Sequence, residues 1–255
     1  MARVLLVEDH SMLAGAVSHE LTNEYGHRVS WVPDPPAMRQ AITSTRYDVV
    51  VVDLLYEHLN RRFDERRTAR PPDIYTDELL VTGLTAIHTL STLAPQTAAA
   101  VWSSGEANRR LHMLFAYEDL KVRVFCSKSS GTGRVDSLHA ALQAALRGEH
   151  WTDPVLNVYL PTGRARRLSE ILLREPQHRA IWRAIALGAH SRREIAQRTH
   201  YSVGAVGNGI PAMYDELLEF DQGMARSGPP LSELIGFAAM NWQFFLDDAV
   251  RARYP

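Results

Sequence analysis

Val49-Val50-Val51-Val52-Asp53 decides how this chain folds. Consecutive β-branched residues with no polar alternation read as a strand buried on both faces, the central strand of a parallel sheet. In such sheets the carboxyl ends of the strands form the ligand crevice. Asp53 therefore stands where chemistry happens rather than where packing does. Outward from it, Arg3-Val4-Leu5-Leu6-Val7 is a second strand, and it ends in Glu8-Asp9. Adjacent strands thus deliver Glu8, Asp9 and Asp53 to one place. Carboxylates crowded in a half-buried site repel one another and need a cation. Oxygen-only ligands suit Mg²⁺, which takes one or two carboxylates together with phosphate oxygens. Asp53 is then placed as a nucleophile toward a phosphoryl group, with the metal neutralising the phosphoryl oxygens.

The next strands add to the pattern. Ala98-Ala99-Ala100-Val101-Trp102 runs into Ser103-Ser104-Gly105, and a strand-end hydroxyl can donate to a phosphoryl oxygen. Val122-Arg123-Val124-Phe125-Cys126-Ser127 runs into Lys128, a counter-charge. Acid pair, acid, hydroxyl and amine at the ends of successive strands are far more specific together than any one of them.

On these motifs residues 1–150 resemble the receiver domain of two-component response regulators. Val7-Glu8-Asp9-His10 matches the metal-binding acids, and Val52-Asp53-Leu54 the phosphoacceptor. Trp102-Ser103-Ser104 matches the hydroxyl, and Phe125-Cys126-Ser127-Lys128 the lysine with an aromatic switch residue three positions before it. The resemblance implies a flavodoxin-like, doubly wound α/β fold with a parallel five-stranded sheet. It also implies phosphoryl transfer from a histidine kinase to Asp53, Mg²⁺ held by Glu8, Asp9 and Asp53, and inward movement of Ser103 and Phe125.

Helical periodicity fills the spaces between strands. Ser11 to Glu24 reads as a helix with Ser11 as its cap, and Asp34 caps a helix opening at Pro35-Pro36. Glu106 to Tyr117 and Val135 to Leu146 follow the same reading. The helix after Asp53 starts late. The family's glycine is best matched by Thr82-Gly83, so 56–81 forms an enlarged loop beside the crevice. Arg61, Arg62, Arg66, Arg67 and Arg70 stud that loop, and Glu57 stands where a proline is usual. A solvated charged loop is the plain reading, and a lid or docking element the sharper one.

A linker is expected at 151–167. From Leu168 the pattern is helical, and 168–220 resembles the helix-turn-helix output domain of NarL/LuxR-type regulators. Ser191-Arg192-Arg193-Glu194 is a capping box opening one helix. Tyr201-Ser202 turns into the recognition helix. Arg192, Arg193 and Arg198 are candidates for DNA phosphate, and Ser202 and Asn208 for base edges. That recognition segment departs from the family. It holds Gly204, Gly207, Gly209 and Pro211, and no Lys or Arg occurs between Thr199 and Ala225. Those residues cost about 6 kcal/mol against alanine in a helix interior. The expectation is a kink near Gly207, or a helix that begins only at Pro211. Residues 221–255 form an extension that reads as one long apolar helix, either packed on the preceding helices or forming a homodimer seam.

Composition bounds the rest. A chain of 255 residues holds two domains, and a net charge of −1 gives no global pull toward nucleic acid. The single cysteine, Cys126, leaves no disulfide within one chain and suits the cytoplasm, and no apolar run reaches membrane-spanning length. No zinc spacing, P-loop or Rossmann fingerprint is present. A haloacid-dehalogenase-like phosphatase would want an aspartate two residues after Asp53, where Leu55 stands. The expected function is therefore non-enzymatic: a dimeric, DNA-binding response regulator phosphorylated on Asp53. The alternative is a receiver whose degenerate output half acts through protein contacts or dimerisation, independently of phosphorylation.

Overall fold

The computed structural model describes residues 1–56, 80–129, 134–161, 166–221 and 228–255. They fall into two compact units: 1–56 with 81–161, and residue 80 with 166–221 and 228–255. The arginine-studded loop expected between Tyr56 and Val81 lies, but for its ends, outside the described residues.

The first unit alternates strand and helix. Its strands are β1 (Arg3–Val7), β2 (Arg28–Val32), β3 (Val49–Val52), β4 (Ala98–Ser103), β5 (Val124–Ser127) and β6 (Trp151–Thr152). Its helices are α1 (Ser11–Asn23), α2 (Pro35–Ser44), α3 (Gly83–Leu93), α4 (Arg110–Glu118) and α5 (Arg134–Arg147). A 3₁₀ turn, Ala107–Arg109, leads into α4, and another follows β6 at Pro154–Tyr159. The strands form one sheet in the order β2-β1-β3-β4-β5-β6, and every pairing is parallel.

All four valines of β3 are fully buried, as a strand covered on both faces requires. One face carries Val4, Leu6, Val49, Val51, Ala100, Trp102, Val124 and Cys126 against α1 and α5. The other, by alternation, carries Leu5, Val7, Val50, Val52, Val101 and Phe125, on the side of α2 and α3.

Two expectations change here. The sheet has six strands rather than five, because Trp151 and Thr152, assigned from sequence to a linker, pair with Val124 and Phe125. A two-residue edge strand carries too little periodicity to be read from sequence. Ser11 is the first helical residue of α1 and does not cap it; the cap position is His10, with no side-chain hydrogen bond.

Among its described residues the second unit is helical, with one isolated β-bridge between Leu80 and Asp247. It contains α6 (Leu168–Leu172), α7 (Pro176–Ala186), α8 (Arg192–Thr199), α9 (Val203–Phe220), α10 (Pro230–Met240), α11 (Trp242–Leu246) and α12 (Asp248–Arg253). Trp182 of α7 stacks on Phe245 with ring centroids 4.8 Å apart, and Phe237 meets both rings edge-on or tilted. Leu80 joins this unit through its carbonyl, which accepts from the Asp248 N–H at 3.2 Å.

Among the described residues the apolar C-terminal segment is three helices rather than one. Asn241 ends the first, donating its side-chain amide to the Phe237 carbonyl at 2.9 Å. Asp247 starts the last by accepting from the Ala249 and Val250 N–H groups. Each break lets the chain fold back, which a straight helix of that length could not do.

Candidate functional site

The strand order reverses at β1: the chain moves from β1 to β2 on one side, then returns to β3 on the other. That switch point opens a crevice at the strand carboxyl ends. Each candidate group is placed there by a continuation of the ladder. The Glu8 N–H donates to the Val32 carbonyl, the Asp53 N–H to that of Val7, and the Lys128 N–H to that of Ser103, all within 3.1 Å.

The side chains converge. Lys128 Nζ lies 2.6 Å from Glu8 Oε2 and 2.7 Å from Asp53 Oδ2. Glu8, Asp9 and Asp53 each offer an oxygen within 4.8 Å of the others. Glu8 Oε1 accepts from the His10 N–H at 3.1 Å, and Asp53 Oδ1 from the Leu54 N–H at 2.7 Å. Burial pushes the Asp53 carboxyl up, and the Lys128 ammonium opposes that rise. Glu8 is likewise raised by burial, with Lys128 lowering it and Asp53 adding to the rise. The acidic cluster is all oxygen, with no sulfur or imidazole in it, and its chemistry fits a hard cation.

Ser103 is fully buried at the end of β4, and its hydroxyl has no hydrogen-bond partner. Phe125 is fully buried too, on the same sheet face as Ser103 by alternation, with its ring 6.2 Å from that of Tyr117. Lys128 Nζ also sits 5.1 Å from the centre of the Trp102 ring, a cation–π contact that sequence reasoning passed over. A second unforeseen contact closes the β2 side, where the Trp31 indole N–H donates to the Glu8 carbonyl at 2.6 Å. Cys126 is a buried core thiol, pushed up to about 12 by burial, as its strand position predicts.

Gly83 returns the chain to this crevice after the loop. Its N–H donates to the Leu54 carbonyl at 2.9 Å. A Cβ there would stand 2.2 Å from the Asp53 carbonyl oxygen, so only glycine fits. Thr82 caps α3 by accepting from the Leu84 N–H at 3.1 Å. The Thr82-Gly83 match proposed from sequence is thus where the backbone puts it.

No protein-family profile matches the sequence, and no curated protein does either. Solved structures do. The RcsB response regulator of Salmonella typhimurium is 18% identical over 92% of this chain and 99% of its own, with a TM-score of 0.54. RcsB from Salmonella enterica serovar Typhimurium, bound to promoter P1flhDC with the phosphomimetic BeF₃⁻, is 16% identical over 94% and 98%, with a TM-score of 0.56. The same protein on promoter rprA gives 17%, 94% and 99%, and a TM-score of 0.55. The fold is that of RcsB. A receiver-type parallel α/β unit followed by a helix-turn-helix unit therefore describes the architecture, and at this identity the likeness is one of fold.

In the second unit α8 and α9 form the helix-turn-helix. Ser191 caps α8 by accepting from the Glu194 N–H at 3.2 Å, while the Glu194 carboxylate reaches back to the His190 N–H at 2.7 Å and to that of Ser191. Ser202 caps α9, accepting from the Ala205 N–H at 3.1 Å.

The recognition segment overturns one of the two sequence expectations, the helix that begins only at Pro211. No helix starts at Pro211; α9 runs unbroken from Val203 to Phe220 with Pro211 inside it. Packing overrides propensity: Val206, Ile210, Met213, Tyr214, Leu217 and Phe220 are all buried. Gly209 takes part in that packing, since a Cβ there would stand 3.3 Å from Ile181 Cδ1 of α7.

The predicted DNA-contacting residues separate into two groups. Arg192, Arg193 and Asn208 are exposed. Arg198 is half-buried, and one of its guanidinium nitrogens donates to the Leu187 carbonyl at 2.6 Å at the end of α7. Ser202 is engaged in its cap. Arg192 reaches over α9: its guanidinium lies 3.7 Å from where a Gly207 Cβ would be.

Proposed function

We propose that this chain is a transcription regulator switched by phosphorylation of Asp53 and acting as a homodimer on DNA. The observation that carries the reading is the single ammonium of Lys128 bridging Glu8 and Asp53, with Asp9 beside them, at the topological switch point of the sheet. The phosphodonor is a histidine kinase. A carboxylate oxygen of Asp53 attacks phosphorus while the donor's P–N bond breaks and its imidazole leaves. The ion pair with Lys128 favours the ionised nucleophile against the burial that opposes it.

Glu8, Asp9 and Asp53 would hold Mg²⁺, which when bound supplies positive charge to the phosphoryl oxygens. Lys128 carries part of the same charge. The unpartnered Ser103 hydroxyl, at the end of the adjacent strand, has a donor to give to a phosphoryl oxygen. That bond and the Phe125 ring, on one face of the sheet, form the switch. In the second unit Arg192 and Arg193 contact phosphate, and Asn208 reads a base edge, adenine being the base its amide pairs with best. The reading places the protein in the cytoplasm. Among the described residues no helix is long and apolar enough to cross a membrane.

Intact-mass measurement after incubation with acetyl phosphate and Mg²⁺ tests the switch. Wild type gains one phosphoryl group, and Asp53→Asn gains none. No gain in either protein would sink the reading in favour of a receiver fold that signals without phosphorylation.

A further inference from the structure

A second buried cation follows Ser103 on the loop that leaves the carboxyl end of β4, and phosphoryl transfer gives it no task. Arg109 ends the 3₁₀ turn that leads from Ser103 into α4, and it is only 7% exposed. One guanidinium nitrogen pairs with the Glu106 carboxylate and lies 3.4 Å from Asn108 Oδ1. Its Nε is buried without a partner. The arrangement is lopsided. The arginine side chain is buried, yet its counter-ion Glu106 is 59% exposed and also accepts from the Ser104 hydroxyl at 3.1 Å. A buried donor left unmet is costly, and a solvated carboxylate is a weak partner for a buried charge. The charge is felt in the crevice, for Arg109 lowers the Asp53 carboxyl after Lys128 does.

Phosphorylation changes the balance there. A phosphoryl group brings up to about two negative charges and three acceptor oxygens to the end of β3. Lys128 is already divided between Glu8 and Asp53. A guanidinium presents several donors in a rigid fork that matches phosphoryl oxygens. The backbone between Ser103 and Arg109 also has a fixed point, because the Gly105 carbonyl accepts from the Tyr159 hydroxyl at 2.7 Å.

We propose that Arg109 is a second phosphoryl-binding cation of this site. On phosphorylation of Asp53 it exchanges the Glu106 carboxylate for the phosphoryl oxygens, and residues 106–109 swing about the pinned Gly105 to carry the start of α4 toward the crevice. Glu106, already in water, is released at little cost. It is the brake on the switch, and Arg109 is the lever.

The inference rests on Asp53 being the phosphoacceptor, and its test separates the two ideas. Beryllofluoride in Mg²⁺ serves as the phosphoryl mimic, titrated into wild type, Arg109→Gln and Glu106→Gln, with binding followed by tryptophan fluorescence. Arg109→Gln weakens binding by about tenfold, the value of one charge-assisted hydrogen bond. Glu106→Gln tightens it several-fold, because it frees the arginine. Opposite signs are the signature. A merely structural ion pair would be broken alike by either substitution and shift both variants in the same direction, and that result overturns the proposal. If Arg109→Gln fails to fold, as judged by circular dichroism, Glu106→Gln decides alone, and no tightening overturns it. Wild type that gains a phosphoryl group in the mass experiment while both variants bind the mimic unchanged removes the role of Arg109 and leaves Asp53 as phosphoacceptor. Wild type that neither gains mass nor binds the mimic removes both.

Discussion

Lys128 answers two buried carboxylates with one ammonium, and burial still holds both acids above their ordinary range. A pocket in that condition accepts further positive charge readily. His112 shows the opposite demand on the same unit. It is fully buried in α4, and burial, with Arg109 nearby, depresses its imidazole to about 3. The sign of the linkage follows. Above the ordinary value of 6.5 the ring is neutral whether the chain is folded or not, and stability is at its full value. Below it the unfolded chain takes a proton that the folded one refuses, so stability falls by about 1.4 kcal/mol per pH unit. The loss runs from 6.5 down to about 3. Urea unfolding at several pH values between neutrality and pH about 5 measures it, and in His112→Leu the slope is shallower by close to one proton.

The elements differ in how far the sequence disclosed them. Strands β1, β3, β4 and β5 announce themselves, because a strand buried on both faces must be apolar throughout. Helix α9 does not, because its glycines and proline argue against it residue by residue. What favours α9 is the surface it buries against α7 and α10, and that surface exists only once the unit is folded. The same logic yields a prediction. Among the described residues, outside its own helix backbone, a Cβ at Gly207 would meet only the Arg192 guanidinium, at 3.7 Å, ordinary contact distance. Gly207→Ala therefore gains helix propensity without a clash and stabilises the second unit by about 0.5–1 kcal/mol. A higher midpoint in thermal or urea melts checks it; a lower one would mean that the seat of Arg192 matters more than propensity.

At the scale of the molecule, a net charge of −1 leaves DNA affinity to local patches. The exposed face of α9 carries Val203, Gly204, Asn208, Pro211, Ala212, Asp215 and Glu219, and none of these is a cation. Exposed charge comes instead from Arg192 and Arg193 on α8. With about two phosphates neutralised per protomer, the logarithm of affinity should fall with that of salt at a slope of about −4 for a dimer, and no more steeply. A gel-shift titration measures it, with Arg192→Ala/Arg193→Ala expected to abolish binding. Absence of binding by wild type even at low salt would leave the helix-turn-helix unit a protein-contact module.

The sequence alone determined the parallel α/β order, the three acids, the hydroxyl and the lysine, and the two helices of the helix-turn-helix. It could do so because strand burial, strand-end chemistry and helix caps are local or periodic properties. Only tertiary structure decided that α9 runs through Pro211, that Arg198 donates to the end of α7, that the described C-terminal residues fold back as three helices, and that Arg109 is buried. Each of those depends on which surfaces meet across the chain. The free energy that settles it comes from burial and pairing between residues far apart in sequence, which no short window contains.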